Sequence, residues 1–199
     1  MRYPARVNQA ARLGSATLAD LLAIPEERRR HEIVDGDLIE KDAASGRHGG
    51  AQVRLSRHLG PYDRRPGGRW PGGWWFATEA EILLDDAQVF RPDVVGWRRE
   101  RLAVLPAEVP IAVVPDWVCE ILSTNKRNDL VKKKRAYHQH RVAHYWIIDP
   151  VEETLSVQRW HADGYLEVLI ADRDARVRAE PFDAIELPVG VLFGDDDDD

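Results

Sequence analysis

Pro115-Asp-Trp-Val-Cys-Glu-Ile-Leu-Ser123 is the stretch on which the reading of this chain turns. Between Trp117 and Leu122 it is a near-continuous apolar run carrying one carboxylate, Glu120. Such a run reads as a strand covered on both faces. Asn128 to His140 follows with helical spacing, and Tyr145 to Ile148 is a second apolar run. Strand, helix, strand in that order is the pattern of a crossover between two parallel strands. The spacing therefore predicts a mixed α/β sheet built around Glu120.

Working outward, Phe90 to Trp97 reads as a strand that carries Asp93 directly after Pro92, and Trp74 to Leu84 reads as a strand joined to it by an Asp85-Asp86 turn. Glu32 to Ile39 reads as two strands about Asp35-Gly36, a strong short-range hairpin signal. Thr17 is placed to cap a short helix with Leu18, Leu21 and Leu22 on one side, ending near Pro25. His48 to Leu59 fits a helix with Val53, Leu55 and Leu59 as its apolar positions, although Gly49 and Gly50 weaken its start. Pro61 to Gly73 is turn-rich, and Arg98 to Pro115 is a connection rich in proline and charge. Past Pro150, Thr154 to Trp160 and Tyr165 to Ile170 form a hairpin about Asp163-Gly164.

Composition sets limits on function. At 199 residues the chain is long enough for one domain with a core. The expected organisation is an N-terminal extension over 1–16, a single domain over 17–194 and an acidic, self-repelling, disordered tail over 195–199. No apolar run is long enough to span a bilayer, and Met1-Arg-Tyr-Pro is not followed by an apolar signal core, so the cytoplasm is the expected location and no membrane partner is expected. The single cysteine, Cys119, excludes an internal disulfide and a cysteine-rich zinc site and reads as a small core residue. The net charge is −6, but without the five aspartates of 195–199 it is −1, which excludes a uniformly basic nucleic-acid binder. Lys126, Arg127, Lys132, Lys133, Lys134, Arg135 and Arg141 nevertheless crowd one segment, which reads either as a phosphate-contacting patch or as a solvated helix face.

Two strands that each bring one carboxylate, Asp93 and Glu120, to a shared edge could hold a hard cation such as Mg²⁺, which takes oxygen ligands. A bound Mg²⁺ polarises a phosphate and lowers the pKa of a water, and a nearby ammonium positions that water or offsets developing charge. On the following helix Asp129, Lys133 and Tyr137 are spaced four apart and form one stripe, with Lys132 and Lys134 about 100° to either side. Asp129 and Lys133 could instead form a surface ion pair, but the short polar turn from Ser123 to Asn128 sets the helix start beside the end of the Glu120 strand and favours the functional reading. Glu79 and Glu81 share a strand face by period two and are reserve ligands to Asp93. His138 and His140 are two apart on a helix and face different ways, and Asp149 before Pro150 reads as a strand-ending turn.

Five blocks stand in order: His31-Glu-Ile-Val-Asp-Gly-Asp-Leu-Ile39, Arg91-Pro-Asp-Val-Val95, Pro115 to Ser123, Asp129-Leu-Val-Lys-Lys133 with Tyr137, and His144-Tyr-Trp-Ile-Ile-Asp-Pro150. Together the set resembles the PD-(D/E)XK nuclease superfamily and, within it, the large bacterial family of “putative restriction endonucleases”. The resemblance implies a restriction-endonuclease-like mixed sheet flanked by helices, with antiparallel hairpins appended. It implies that Asp93 and Glu120 are metal ligands, with the Ile121 carbonyl as a further one, that Lys133 is the catalytic lysine, and that Glu32 adds a ligand or an outer contact. His48 stands where the family tends to place a histidine. The superfamily's usual lysine lies two residues after the glutamate, where this chain has Leu122, so the lysine is expected from the next helix. The implied activity is Mg²⁺-dependent cleavage of DNA phosphodiesters, with Mn²⁺ as a substitute. The alternatives are a non-catalytic binding module that pairs with a second copy as a homodimer, and a metal-dependent hydrolase of a small phosphorylated substrate.

Overall fold

The computed structural model of the chain describes residues 14–123 and 126–196. Most of the expected N-terminal extension, the last three aspartates and part of the turn between Ser123 and Asn128 lie outside the described residues. In chain order the first elements are α1 (Leu18–Leu22), β1 (His31–Val34), β2 (Asp37–Glu40), α2 (Gly46–Leu59), β3 (Trp74–Thr78), β4 (Ile82–Asp85), β5 (Gln88–Phe90) and β6 (Val94–Arg98). They are followed by β7 (Trp117–Ile121), α3 (Lys134–Gln139), β8 (His144–Asp149), β9 (Thr154–Arg159), β10 (Leu166–Asp172), a short β11–β12 pair (Arg176–Val177 with Leu187–Pro188) and α4 (Val189–Phe193).

Six strands form one sheet in the order β10-β9-β8-β7-β6-β3, and four form a second in the order β2-β1-β5-β4. Within the larger sheet β7 and β8 are parallel, with Glu120 opposite Ile147, and the other neighbours are antiparallel. This is the mixed sheet that the two apolar runs predict. The hairpin at Asp35-Gly36 also forms, with φ of 54° and 77° at its two turn residues, the left-handed pair that Asp-Gly favours. Thr17 caps α1 through a capping box with Asp20, satisfying amide groups the helix leaves unpaired.

Two expected strands are each divided between the sheets. Trp74 to Leu84 breaks after Thr78, where Glu79 takes a left-handed φ of 53°, so β3 belongs to the large sheet and β4 to the small one. Phe90 to Trp97 breaks at Arg91–Asp93, so Asp93 stands immediately before β6 and not within a strand. Both breaks lie inside runs of strand-forming residues, and such a run does not record which sheet will pair with it. The crossover helix also departs from expectation: Asn128–Lys133 winds with the wider π spacing before α3 begins.

Side chains alternate across the large sheet and build a core on each face. On one, Trp74, Trp117, Trp146 and Phe182 pack with Ala51, Leu55 and Leu59 of α2 and Leu192 of α4. Gly96 sits close beneath them: a Cβ there would lie 3.0 Å from the Phe76 ring, which would have to give by a few tenths of an ångström. Val53 is 60% exposed and contributes nothing to this stripe, which runs through Ala51, Leu55 and Leu59 at spacings of four. Burial of Leu55 and Leu59 contributes roughly 1.5–3 kcal/mol each. On the other face, Val95, Trp97 and Val118 meet Tyr137, Tyr145 and, from the small sheet, Val34, Ile82 and Phe90. Glu120 follows Cys119 and precedes Ile121, both of the first face, so its side chain enters the second, between sheet and helix.

Candidate active site

β6 and β7 pair antiparallel with Val94 opposite Cys119, which sets Asp93 beside the C-terminal end of β7 and one step from Glu120. Asp93 Oδ2 accepts the Ile121 amide at 2.6 Å, and its Oδ1 lies 2.7 Å from Lys41 Nζ and 3.2 Å from His48 Nε2. Gln52, one turn along α2 from His48, donates to the Asp93 carbonyl at 2.7 Å, so α2 holds this residue by backbone and side chain together. Lys41 Nζ also donates to both Glu79 oxygens at 3.0 Å and to the Arg91 carbonyl at 2.8 Å.

A second cation stands beside the first. Lys133 Nζ lies 2.9 Å from Glu32 Oε1, 3.3 Å from Glu120 Oε1 and 3.3 Å from Asp129 Oδ1. Tyr137 Oη donates to Glu120 Oε1 at 2.8 Å, and Glu32 Oε1 also accepts the Arg91 amide at 2.7 Å. The stripe Asp129, Lys133, Tyr137 is thus turned wholly inward, toward Glu120. Asp93, Glu120, Glu32, Lys41, His48, Asp129, Lys133 and the Ile121 backbone line one cleft.

Five carboxylates, Glu32, Glu79, Asp93, Glu120 and Asp129, therefore face two ammonium groups across ion-pairing distances. Burial and these charges together set the acidities. Burial opposes ionisation of Asp93, yet the His48 hydrogen bond and the Lys41 charge outweigh it and hold the carboxyl well below the usual range. Glu120 goes the other way: burial pushes it well up, against Lys133, and the charges of Asp129 and Asp93 add to the rise. Burial alone would lower Lys133, but Glu120, Glu32 and Asp129 raise it far enough that it stays charged. Two carboxylates on one edge with opposite shifts are the pattern of an acid–base or metal-binding pair.

The donor set suits a hard divalent cation. Its groups are carboxylate oxygens, the Arg91 carbonyl and one imidazole, and the two lysine ammoniums already stand in the positions where positive charge is stabilised. One atom from each of His48, Glu79 and Asp93 lies within 4.8 Å of the others, a spacing open to a shared ion.

Of the two reserve carboxylates, Glu79 is tied to Asp93 through Lys41 and Glu81 is not. The left-handed turn at Glu79 destroys the period-two relation between them, and Glu81 instead pairs with buried Arg29 at 2.8 Å. Lys41 was not singled out in the sequence. It follows β2 and carries no periodic signal, and its partners lie 38 to 52 residues away. Tyr137 and Asp129, readable as a core aromatic and a surface ion pair, both belong to the Glu120 environment. The basic segment is dispersed by the fold: Lys126 pairs with Asp149, Arg135 with Asp35, and Lys133 turns inward. Asp149 also accepts the Val151 and Glu152 amides, as a strand-ending turn requires. Cys119 is buried on the opposite face, where burial pushes its thiol up and away from reactivity. Among the described residues no helix is long and apolar enough to cross a membrane.

The profile of the Uma2 family, described as “Putative restriction endonuclease”, matches residues 18–190. No curated protein matches the chain. Among solved structures, a “putative nuclease belonging to DUF820” from Anabaena variabilis ATCC 29413 superposes with a TM-score of 0.71 at 24% identity, covering 89% of this chain and 97% of that one. At that identity the likeness establishes the fold, a restriction-endonuclease-like sheet with helices on its faces.

Proposed function

The chain belongs to the Uma2 family of “putative restriction endonucleases”, and on that premise we propose that it is a metal-dependent endonuclease that hydrolyses phosphodiester bonds in DNA. One observation carries the proposal: Asp93 and Glu120 stand at one sheet edge within an ion-pair cluster in which five carboxylates face two ammonium groups. In this reading Asp93 and Glu120 hold Mg²⁺, for which Mn²⁺ substitutes, and the Ile121 carbonyl is a further ligand. The ion, when bound, supplies Lewis acidity toward a phosphate oxygen and a water of lowered pKa.

The chain's own groups do the rest. Lys133 keeps a buried positive charge beside Glu120, where its field favours deprotonation of an attacking water and offsets charge developing on a phosphate oxygen. Glu32 and Asp129 hold that ammonium in place, and the Tyr137 hydroxyl fixes the Glu120 carboxylate. In the reaction a water oxygen bonds to phosphorus, the bond to the leaving sugar oxygen breaks, and the water's proton passes to solvent or to that oxygen. DNA as substrate rests on the family description, and a cytoplasmic location accords with the lack of an apolar spanning helix among the described residues. A second copy of the chain is the proposed protein partner: β10 is a sheet edge and exposes Leu166 and Ile170, the kind of surface such a copy would cover.

The test is thermal unfolding with and without Mn²⁺, together with plasmid nicking. The native protein is expected to melt higher with Mn²⁺ and to nick, and both effects are expected to vanish in Asp93→Ala and Glu120→Ala. A metal-induced shift without nicking would leave an idle site or a small phosphorylated substrate. Neither effect would end the enzyme reading in favour of a binding module.

A further inference from the structure

Lys41 is bound as an ion would be. Its ammonium lies 2.7 Å from Asp93 Oδ1, 3.0 Å from each Glu79 oxygen and 2.8 Å from the Arg91 carbonyl. Three protons facing four oxygens leave it no donor to spare for a substrate. His48 Nε2 lies 3.2 Å from the same Asp93 oxygen, and the His48 side chain is buried with its Nδ1 unpartnered among the described residues. Carboxylates, a carbonyl and an imidazole converging on one point are ligands that suit a divalent ion such as Mn²⁺. This cradle is distinct from the one around Lys133, where Glu32, Glu120 and Asp129 are the partners.

We infer that Lys41 is a tethered cation filling a second divalent-ion subsite, formed by His48, Glu79, Asp93 and the Arg91 carbonyl, so that this cleft takes one fewer metal ion than it would without the lysine. An ammonium and a metal ion cannot share the same oxygens at these distances, since both need the lone pairs and their charges repel. In two-metal phosphodiesterases a pair of cations clamps the attacking and leaving oxygens. Here the lysine supplies the charge on the Glu79 side permanently. The inference rests on the proposed function in taking Asp93 as a cation ligand, and its test separates the two.

The experiment counts Mn²⁺ bound per folded full-length chain by isothermal titration calorimetry. Lys41→Met is expected to bind one more Mn²⁺ than the native protein. That extra equivalent should disappear when Glu79→Gln is added and persist when Glu120→Gln is added, whereas Lys41→Arg should gain none. Equal stoichiometry in native and Lys41→Met proteins overturns the inference, whatever the native number. If the native protein binds none and Lys41→Met binds one, the inference stands and the Asp93–Glu120 metal centre falls. Should Lys41→Met unfold, Lys41→Gln provides the milder change. Refolding of either by Mn²⁺ reports the gained site, and failure of Mn²⁺ to refold both overturns it.

Discussion

The Tyr137 hydroxyl donates to Glu120 Oε1 at 2.8 Å, the same oxygen that faces the Lys133 ammonium at 3.3 Å. A carboxylate buried between two strands would ordinarily find no such company. Here the helix after β7 returns over the sheet and sets two donors, four residues apart, onto one acceptor. The wider π spacing of Asn128–Lys133 lies directly before α3, so the turn that carries Lys133 is the irregular one. Such turns recur at functional sites, where they re-aim a side chain.

Tyr137→Phe removes one donor from Glu120 without changing the ring that packs on Phe90. Loss of a buried hydrogen bond to an acidic group should cost about 2 kcal/mol, read as a lower urea midpoint at unchanged slope. An unchanged midpoint would mean that the phenol does not hold the carboxylate.

Lys133→Ala should do more than abolish nicking. It strands Glu32, Glu120 and Asp129 without their shared cation, so a loss of about 3 kcal/mol or more is expected, in part restored by Mn²⁺. Lys132→Ala, outside this cluster, should stay within about 0.5 kcal/mol of the native protein and retain nicking. Equal loss of nicking in the two variants would make the segment a phosphate-binding patch with no singled-out lysine.

Gly96→Val tests the packing beneath the site. Its side chain would enter the space held by Phe76 and Trp117, whose ring centroids are 5.9 Å apart, and should cost about 1–3 kcal/mol or more. Urea unfolding with tryptophan fluorescence reads the effect.

His144 predicts the acid limb of stability. Burial, then the charges of Arg98 and Arg159, lower its pKa to about 4 from an ordinary value of 6.5. Above pH 6.5 the ring is neutral in both states and there is no penalty. As pH falls from 6.5 toward 4 the unfolded chain takes up a proton that the folded one refuses, and stability drops by up to roughly 3 kcal/mol. His144→Asn should flatten that window in urea titrations at pH 7 and pH 5, and an unaltered slope would place the acid sensitivity elsewhere.

What the sequence determined by itself was local or periodic. The Asp35-Gly36 turn, the parallel pair Trp117–Ile121 and His144–Asp149, and the stripe Asp129, Lys133, Tyr137 each follow from backbone preference or from helix and strand period, which act over a few residues. The order of the blocks likewise put Asp93, just ahead of β6, beside Glu120 of β7. Only the tertiary structure decided that two apparent strands would each divide between sheets at Glu79 and at Arg91–Asp93. It alone brought Lys41 across 52 residues to Asp93 and turned Glu79, but not Glu81, toward it. Alternation reports burial without naming the partner, and a charge carries no periodic mark of the opposite charge it will meet. The balance of five carboxylates against two lysines arises only when both sheets and the crossover helix close on one edge.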